Sequence, residues 1–329
     1  MTGLTPEIAA EAASRERADV ALRATEERDL PRISDLTESV FGRRRRVELL
    51  RWLLGDLRRT GRVESWVAER DGKILGHVAI LQCRYRAASG WLTGVHPYLW
   101  MVEEAERGRA GVRLGGLIRD YEDFQIVLGG TAITKAIVRG RRFIQATEAW
   151  ELRLVGGGRK TSGFELVPIG SFAAIPTAAP APGIQLNEAA PDHLDWQAAC
   201  PDLESHRFEL RRDGRPVGPV LVFVERSPGC TAAGRLVHLP YLDEDPASWA
   251  PALDTVASVL GDLGCGSWTL LASHPALVRA CRQREAEVAG RRPVWIREHE
   301  AILAEWPWHL TYLEGDLAYR RVAPEEPAA

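Results

Sequence analysis

The stretch Pro97-Tyr-Leu-Trp-Met-Val-Glu-Glu-Ala-Glu-Arg-Gly-Arg-Ala-Gly-Val-Arg-Leu, residues 97–114, decides how this chain is read. Pro97 to Glu103 is apolar and β-prone and reads as a strand. Arg107-Gly-Arg-Ala-Gly reads as a tight loop, and a helix is expected from Val112 to Tyr121. Gly108, Ala110 and Gly111 are small enough to let a ligand reach the backbone at the helix start. Unpaired N–H groups and the helix dipole favour an anion at such a place, and Arg107, Arg109 and Arg113 add charge of the matching sign.

Upstream, Val20-Ala-Leu-Arg alternates as a strand does, and Asp29-Leu-Pro-Arg-Ile opens a helix with Asp29 as N-cap and Pro31 in the first turn. Two apolar runs, Glu64–Arg70 and Ile74–Tyr85, flank Asp71-Gly72, a strong hairpin signal. Downstream, Phe124–Leu128 reads as a buried strand, Thr131–Arg139 as a helix capped by Thr131, and Phe143 onward as extended chain. A stretch with Pro176, Pro180 and Pro182 is expected to be a linker. Beyond it the later part of the order returns: Phe208–Leu210, the turn Asp213-Gly214, Val217–Val224, Arg235–Leu242, a helix over Trp249–Leu263, Ser267–Leu271, a helix over Ala276–Ala286, Val294–Arg297 and His309–Tyr312. The expected organisation is an N-terminal extension at 1–18 (disordered or helical), a first domain at 19–168, a linker at 169–183, a second domain at 184–322 and a disordered tail at 323–329. The fold class is α/β (α+β): two tandem domains, each a mixed, mostly antiparallel sheet flanked by helices.

Length and composition agree with that organisation, since 329 residues with 45% hydrophobic and 26% charged suit two globular domains. No run approaches a membrane span, and Met1 to Asp19 is charged without an apolar core, so a cytoplasmic protein without membrane association is expected. Cys83, Cys200, Cys230, Cys265 and Cys281 lack CxxC or His–Cys spacing, which argues against a disulfide framework and against a metal site. The net charge of -3 conceals basic clusters at Arg43–Arg46 and Arg58–Arg62. Neither stacking aromatics nor a groove-reading helix accompanies them, so they read as solvated helix faces and no nucleic-acid partner is expected. Oligomeric state is not encoded in any of these features.

The element order, a hairpin followed by strand–loop–helix and strand–helix–strand, resembles the GNAT superfamily of acyl-CoA-dependent N-acyltransferases. Glu106-Arg-Gly-Arg-Ala-Gly-Val-Arg-Leu stands where that family commonly has an Arg-Gly-Lys-Gly-Ile-Gly type of loop. Leu128-Gly-Gly-Thr-Ala-Ile-Thr-Lys-Ala-Ile-Val-Arg-Gly-Arg-Arg-Phe is similar in pattern to the family's segment ending in Tyr-Arg-Lys-Leu-Gly-Phe. The closing Trp308-His-Leu-Thr-Tyr-Leu-Glu-Gly-Asp-Leu-Ala-Tyr and the two-domain length look like the tandem members of bacterial surface-polysaccharide pathways. The resemblance implies a first domain that binds acetyl-CoA or another acyl-CoA as co-substrate, and a degenerate second copy. It implies transfer of the acyl group to a primary amine of a small acceptor, foremost a nucleotide-linked amino sugar, by direct attack in a ternary complex. The implied cofactor cradle is Met101, Val102, Arg107, Gly108, Arg109, Ala110, Gly111 and Val112. Two departures stand out. With Ala110 on the first glycine position of the family loop, Val112 falls on the second; with Gly111 first, Arg113 does. The Tyr that protonates the departing thiolate in many members is Val138 here.

Acyl transfer to an amine needs a group that takes the amine proton. Glu103, Glu104 and His96 stand on or beside the key strand and His77 on the hairpin. Glu103 is the first choice, because alternation sends it and Glu104 to opposite faces, and His77 the second, although a structural histidine is the commoner outcome within its apolar run. In the second half, His238, Tyr241, His309 and Tyr312 are the candidates for acceptor contact, while Asp243, Glu244 and Asp245 at a helix start disfavour phosphate. Trp249, Trp268, Trp295, Trp306 and Trp308 read either as core or as a carbohydrate-stacking wall. Two other readings stay open: a non-catalytic protein that binds acyl-CoA or a sugar nucleotide, and an acetyltransferase for another amine such as an aminoglycoside.

Overall fold

A computed structural model describes residues 20–56, 62–87, 90–119, 124–130, 132–140, 142–157, 163–175, 185–187, 190–298 and 307–314. The expected extension at 1–18, the tail at 323–329, Thr131, Trp306 and the proline stretch of the expected linker lie outside them. The described chain forms two compact units, one of residues 20–80 with 97–119 and one of residues 81–96 with 124–314.

The smaller unit contains β1 (Ala21–Ala24), α1 (Leu30–Phe41), α2 (Val47–Arg51), β2 (Val63–Arg70), the first part of β3 (Lys73–Ala87), the last part of β4 (Gly90–Val102) and α3 (Ala110–Arg119). Its strands follow the order β1-β2-β3-β4, with β1 antiparallel to β2 from Ala21 opposite Glu69. The β2–β3 turn is the expected one: Asp71 (φ 51°) and Gly72 (φ 76°) are both left-handed, which matches the twist of the flanking strands. Leu30, Ile33 and Leu36 are buried along α1, and Ala110, Leu114 and Ile118 along α3, the helical spacing of a single face. Helix α3 packs on β2, and a Cβ at Gly76 of β3 would lie 2.9 Å from Leu114 Cδ1 and 3.2 Å from the Met101 carbonyl, so glycine lets the helix lie close. Asp29 does not cap α1. A 3₁₀ turn, Glu27–Asp29, precedes the helix, and the buried Asp29 carboxylate accepts from the Glu26 N–H (2.8 Å) and from both terminal nitrogens of Arg23 (2.6 and 2.8 Å). The Arg23 hydrogen bonds hold that carboxyl below its ordinary range.

The larger unit adds β5 (Phe124–Leu128), α4 (Ala132–Gly140), β6 (Ile144–Val155), β7 (Phe164–Pro168), β8 (Gln185–Asn187), α5 (Pro191–Ala198), β9 (Glu204–Arg212), β10 (Arg215–Glu225), β11 (Ala232–His238), α6 (Pro246–Asp262), β12 (Cys265–Ala272), α7 (Pro275–Gln283), β13 (Glu287–Glu298) and β14 (Trp308–His309). Its main strand order is β4-β5-β13-β6-β12-β11-β10-β9-β7. Neighbours are antiparallel except β4 with β5 and β11 with β12; β14 also runs parallel to β8. Asp213 and Gly214 repeat the left-handed two-residue turn between β9 and β10.

The division between units does not fall at 169–183. β5, β6 and β7, which precede that stretch, pair with β13, β12 and β9, which follow it. The reason is burial: Leu152 and Leu154 of β6 join one core with Leu210, Val222, Leu253 and Leu270 from beyond residue 183. Trp249 and Trp268 lie in the same core, fully buried, and Trp295 and Trp308 are buried as well. These four tryptophans are therefore core, each apolar side chain of this kind contributing on the order of 1.5–3 kcal/mol on burial, and form no sugar-stacking wall. Helix α6 starts at Pro246 instead of Trp249, because Asp245 accepts from the Ala247 N–H (2.9 Å) and Pro246 takes the first helical position. Among the described residues no helix is long and apolar enough to cross a membrane.

Candidate active site

The candidate site lies in the smaller unit, where β4 turns into α3. The β4–β5 ladder holds at Gly94 and Val95. From Pro97 onward β4 belongs to the smaller unit and is the last strand of that unit's order. Within this segment Leu99 has φ 46°, a left-handed conformation that costs a non-glycine residue about 1–2 kcal/mol. Something must hold it, and His77 does. The His77 Nδ1 lies 3.0 Å from the Leu99 carbonyl and Nε2 lies 2.9 Å from Ser65 Oγ. A carbonyl only accepts, so Nδ1 carries the proton and Nε2 accepts from Ser65, whose oxygen in turn is 2.7 Å from Thr25 Oγ1. His77 is fully buried with both nitrogens engaged. It clamps the strand and presents no free base, contrary to the catalytic expectation.

Beyond Val102 the chain leaves the sheet: the Glu103 N–H donates to the Leu75 carbonyl (2.9 Å), a 3₁₀ turn spans Glu104–Glu106, and the Arg109 N–H donates to the Glu106 carbonyl (3.1 Å). The Arg113 N–H donates to the Arg109 carbonyl (3.2 Å), which leaves the N–H groups of Ala110, Gly111 and Val112 as the first-turn amides without an intrahelical acceptor. Ala110 is fully buried, a Cβ on Gly111 would sit 3.7 Å from Val102 Cγ2, and around Gly108 there is open space. Val112 is 58% exposed, so its branched side chain stands in solvent. The helix begins two residues earlier than expected, at Ala110. Met101 and Val102 are buried on the strand behind. The open amides and small residues fit an anion such as a pyrophosphate. The arginines are partly taken up, however: Arg107 pairs with Glu104 (3.2 Å), Arg70 with Glu106 (2.5 Å), and the Arg113 guanidinium donates to the Val20 carbonyl.

Glu103 lines an open cavity of about 430 Å³ together with Arg32, Asp35, Asp71 and Lys73, and its carboxylate is 2.8 Å from Lys73 Nζ. Glu104 is exposed. His96 belongs to the larger unit, where it is buried and its Nε2 is hydrogen-bonded with the Tyr85 hydroxyl; burial pushes it down to about 3, so it stays neutral. Val138 packs in the core with Val127 and Trp295, and offers no proton.

In the larger unit His238, His309 and Tyr312 are all buried, so the expected acceptor contacts do not fit their place. His309 Nε2 donates to the Leu239 carbonyl (2.9 Å) and the Tyr312 hydroxyl to Glu151 (2.9 Å). Burial pushes His238 down to about 3 and His309 to about 4. Tyr241 is half-buried: its hydroxyl donates to Glu244 (3.1 Å) and its ring packs 5.3–5.9 Å from those of His274, Trp249 and His309. Sequence reasoning missed Leu99 and His274. Leucine carries no local signal for a left-handed backbone, and nothing near His274 in the chain announces its ring neighbours. Among the described residues no three His, Cys, Asp or Glu side chains group as metal ligands.

No family profile and no curated protein matches the chain by sequence. Its fold is nevertheless similar to solved structures. A GCN5-related N-acetyltransferase from Anabaena variabilis superposes with a TM-score of 0.59 at 13% identity, covering 84% of this chain and 73% of that one. One from Kribbella flavida gives 0.56 at 13%, with 85% and 71% covered. The N-myristoyltransferase of Saccharomyces cerevisiae, solved with bound myristoyl-CoA, gives 0.55 at 7%, with 85% and 82% covered. At these identities the likeness is one of architecture, and the mixed, mostly antiparallel sheet flanked by seven described helices is a GNAT-like fold.

Proposed function

We propose that this protein is an acyl-CoA-dependent N-acyltransferase that acylates a primary amine of a small acceptor, with nucleotide-linked amino sugars as the acceptor class. The observation that carries the reading is the run from a left-handed Leu99 at the end of β4 straight into the open first turn of α3, within a GNAT-like fold. Bound acyl-CoA supplies a thioester carbonyl that the acceptor amine attacks, with loss of the amine proton and release of the thiol. In this reading the amides of Ala110, Gly111 and Val112 hold the pyrophosphate, with Gly108 leaving room and Arg107 and Arg109 adding charge. The edge of β4 at Met101 and Val102 pairs with an extended amide chain as an added strand does. Glu103 takes the amine proton; it is the one weighed carboxylate that lines a cavity, and the acidic Asp35 and Asp71 in the same lining suit a cationic acceptor that must lose charge before attack, against the opposing charge of Arg32 and Lys73.

A second reading, an acyl-CoA or sugar-nucleotide binder without catalysis, is favoured by the burial of Val138, which leaves no acid for the leaving thiolate at that position. Calorimetric titration with acetyl-CoA and with coenzyme A tests both. Micromolar binding that Arg109→Glu abolishes supports the cradle, and thiol release in the presence of amino-sugar nucleotides then separates enzyme from binder. No heat and no thermal stabilisation at millimolar ligand would sink both readings.

A further inference from the structure

The larger unit carries a second cavity, about 550 Å³, between β6 and α7. Its lining includes Gln145, Thr147, Glu148 and Trp150 from β6 and Arg279 and Arg282 from α7. Arg279 and Arg282 are three residues apart and so share one helix face. The Arg282 guanidinium lies 4.6 Å from the centre of the Trp150 ring, and that of Arg291, directly opposite Trp150 in the β6–β13 ladder, lies 4.1 Å from it. A guanidinium stacked on an indole is fixed in place while its N–H donors, which lie in its own plane, stay open to a ligand. Among the described residues none of the three arginines has a carboxylate partner or a side-chain hydrogen bond. Arg292, beside the same strand, is by contrast paired with Glu151 (2.5 Å).

We propose that this cavity binds a small molecule through a phosphate or diphosphate group held by Arg279 and Arg282, with Arg291, stacked on the Trp150 ring that lines the cavity, adding positive charge beside them and Gln145 and Thr147 hydrogen-bonding its organic part. One guanidinium satisfies one carboxylate; two uncompensated guanidinium groups on one helix face, one of them sharing an indole with a third, match a multiply charged anion with several acceptor oxygens. Glu148, the one carboxylate in the lining, also lacks a partner and opposes the anion, which sets the sign of a test. The site stands apart from the acyl-transfer reading, because every residue in it belongs to the larger unit.

The test is calorimetric titration of the full chain with inorganic pyrophosphate, with succinate as the carboxylate arm. Arg279→Ala with Arg282→Ala is expected to weaken pyrophosphate at least about tenfold, since each lost charge-assisted contact is worth about one decade. Glu148→Gln is expected to tighten it, a gain that misfolding cannot imitate. Acetyl-CoA titrations of the same variants are expected to stay unchanged, while Arg109→Glu leaves the pyrophosphate signal of this cavity in place. Pyrophosphate binding indifferent to both the double variant and Glu148→Gln, or succinate binding as tightly as pyrophosphate, would overturn the proposal.

Discussion

His77 shows how much one side chain settles. It sits in an apolar strand, where a histidine reads equally as base or as filler, and the deciding facts are its partners: a carbonyl on one nitrogen and a hydroxyl on the other. A fully buried imidazole so engaged holds Leu99 in a backbone state that leucine disfavours. His77→Leu is expected to leave the Leu99 carbonyl and the Ser65 hydroxyl unpaired, at a cost of about 1–3 kcal/mol in denaturant unfolding. It is expected to weaken acetyl-CoA about tenfold while the pH profile of thiol release keeps its shape. Loss of the acid limb of that profile, where a base takes up its proton, would instead make His77 the base. The candidate Glu103 was legible from strand alternation alone, whereas its ion pair with Lys73 depends on the hairpin turn that brings residue 73 alongside.

At the scale of elements, α3 is the informative piece. Its start at Ala110 makes Val112 a first-turn residue with an exposed side chain. A carboxylate there meets the positive end of the helix dipole and adds about 0.3–1 kcal/mol of stability, yet it crowds the amides a phosphate needs. Val112→Glu is therefore expected to hold or raise the melting temperature while lowering acetyl-CoA affinity about tenfold. A variant that is both more stable and equally good at binding would place the phosphate elsewhere. Both Asp-Gly hairpins and the strand–loop–helix were visible in the sequence because turn chemistry and capping act over two to four residues. The end of α1 was not: Asp29 looked like a cap, and Arg23, six residues away across a turn, claimed its carboxylate.

For the molecule as a whole, buried neutral histidines set the acid limit. His96, His238 and His309 are held at about 3, about 3 and about 4 by burial, against 6.5 when exposed. Between those values the unfolded chain binds protons that the folded chain does not, so stability is full above the unfolded value and falls as pH drops through it. The loss is up to about 1.4 kcal/mol per pH unit for each histidine. Asp29, whose carboxyl is lowered by Arg23, adds a loss of the same sign only below the ordinary carboxylate range. Melting temperatures measured from pH 7 to pH 4 are expected to fall steadily, and less steeply in His309→Phe. A flat curve across that interval would mean that these rings reach solvent.

The sequence by itself determined the order of most strands and helices, though not α2, β7, β8 or α5, and the two Asp-Gly turns, the small-residue loop leading into α3 and the architecture class, because each is written in contacts between residues close along the chain. Tertiary structure alone decided which strands meet. β6 lies between β13 and β12, and β7 beside β9, so the compact units cut across the composition boundary at 169–183. It also decided which candidates are sealed away, as His77, His238, His309 and Tyr312 are, and which charges gather without a carboxylate, as Arg282 and Arg291 do on Trp150 with Arg279 in the same cavity. The physical reason is that burial and long-range pairing depend on the summed apolar area of segments more than a hundred residues apart, a quantity no local window contains.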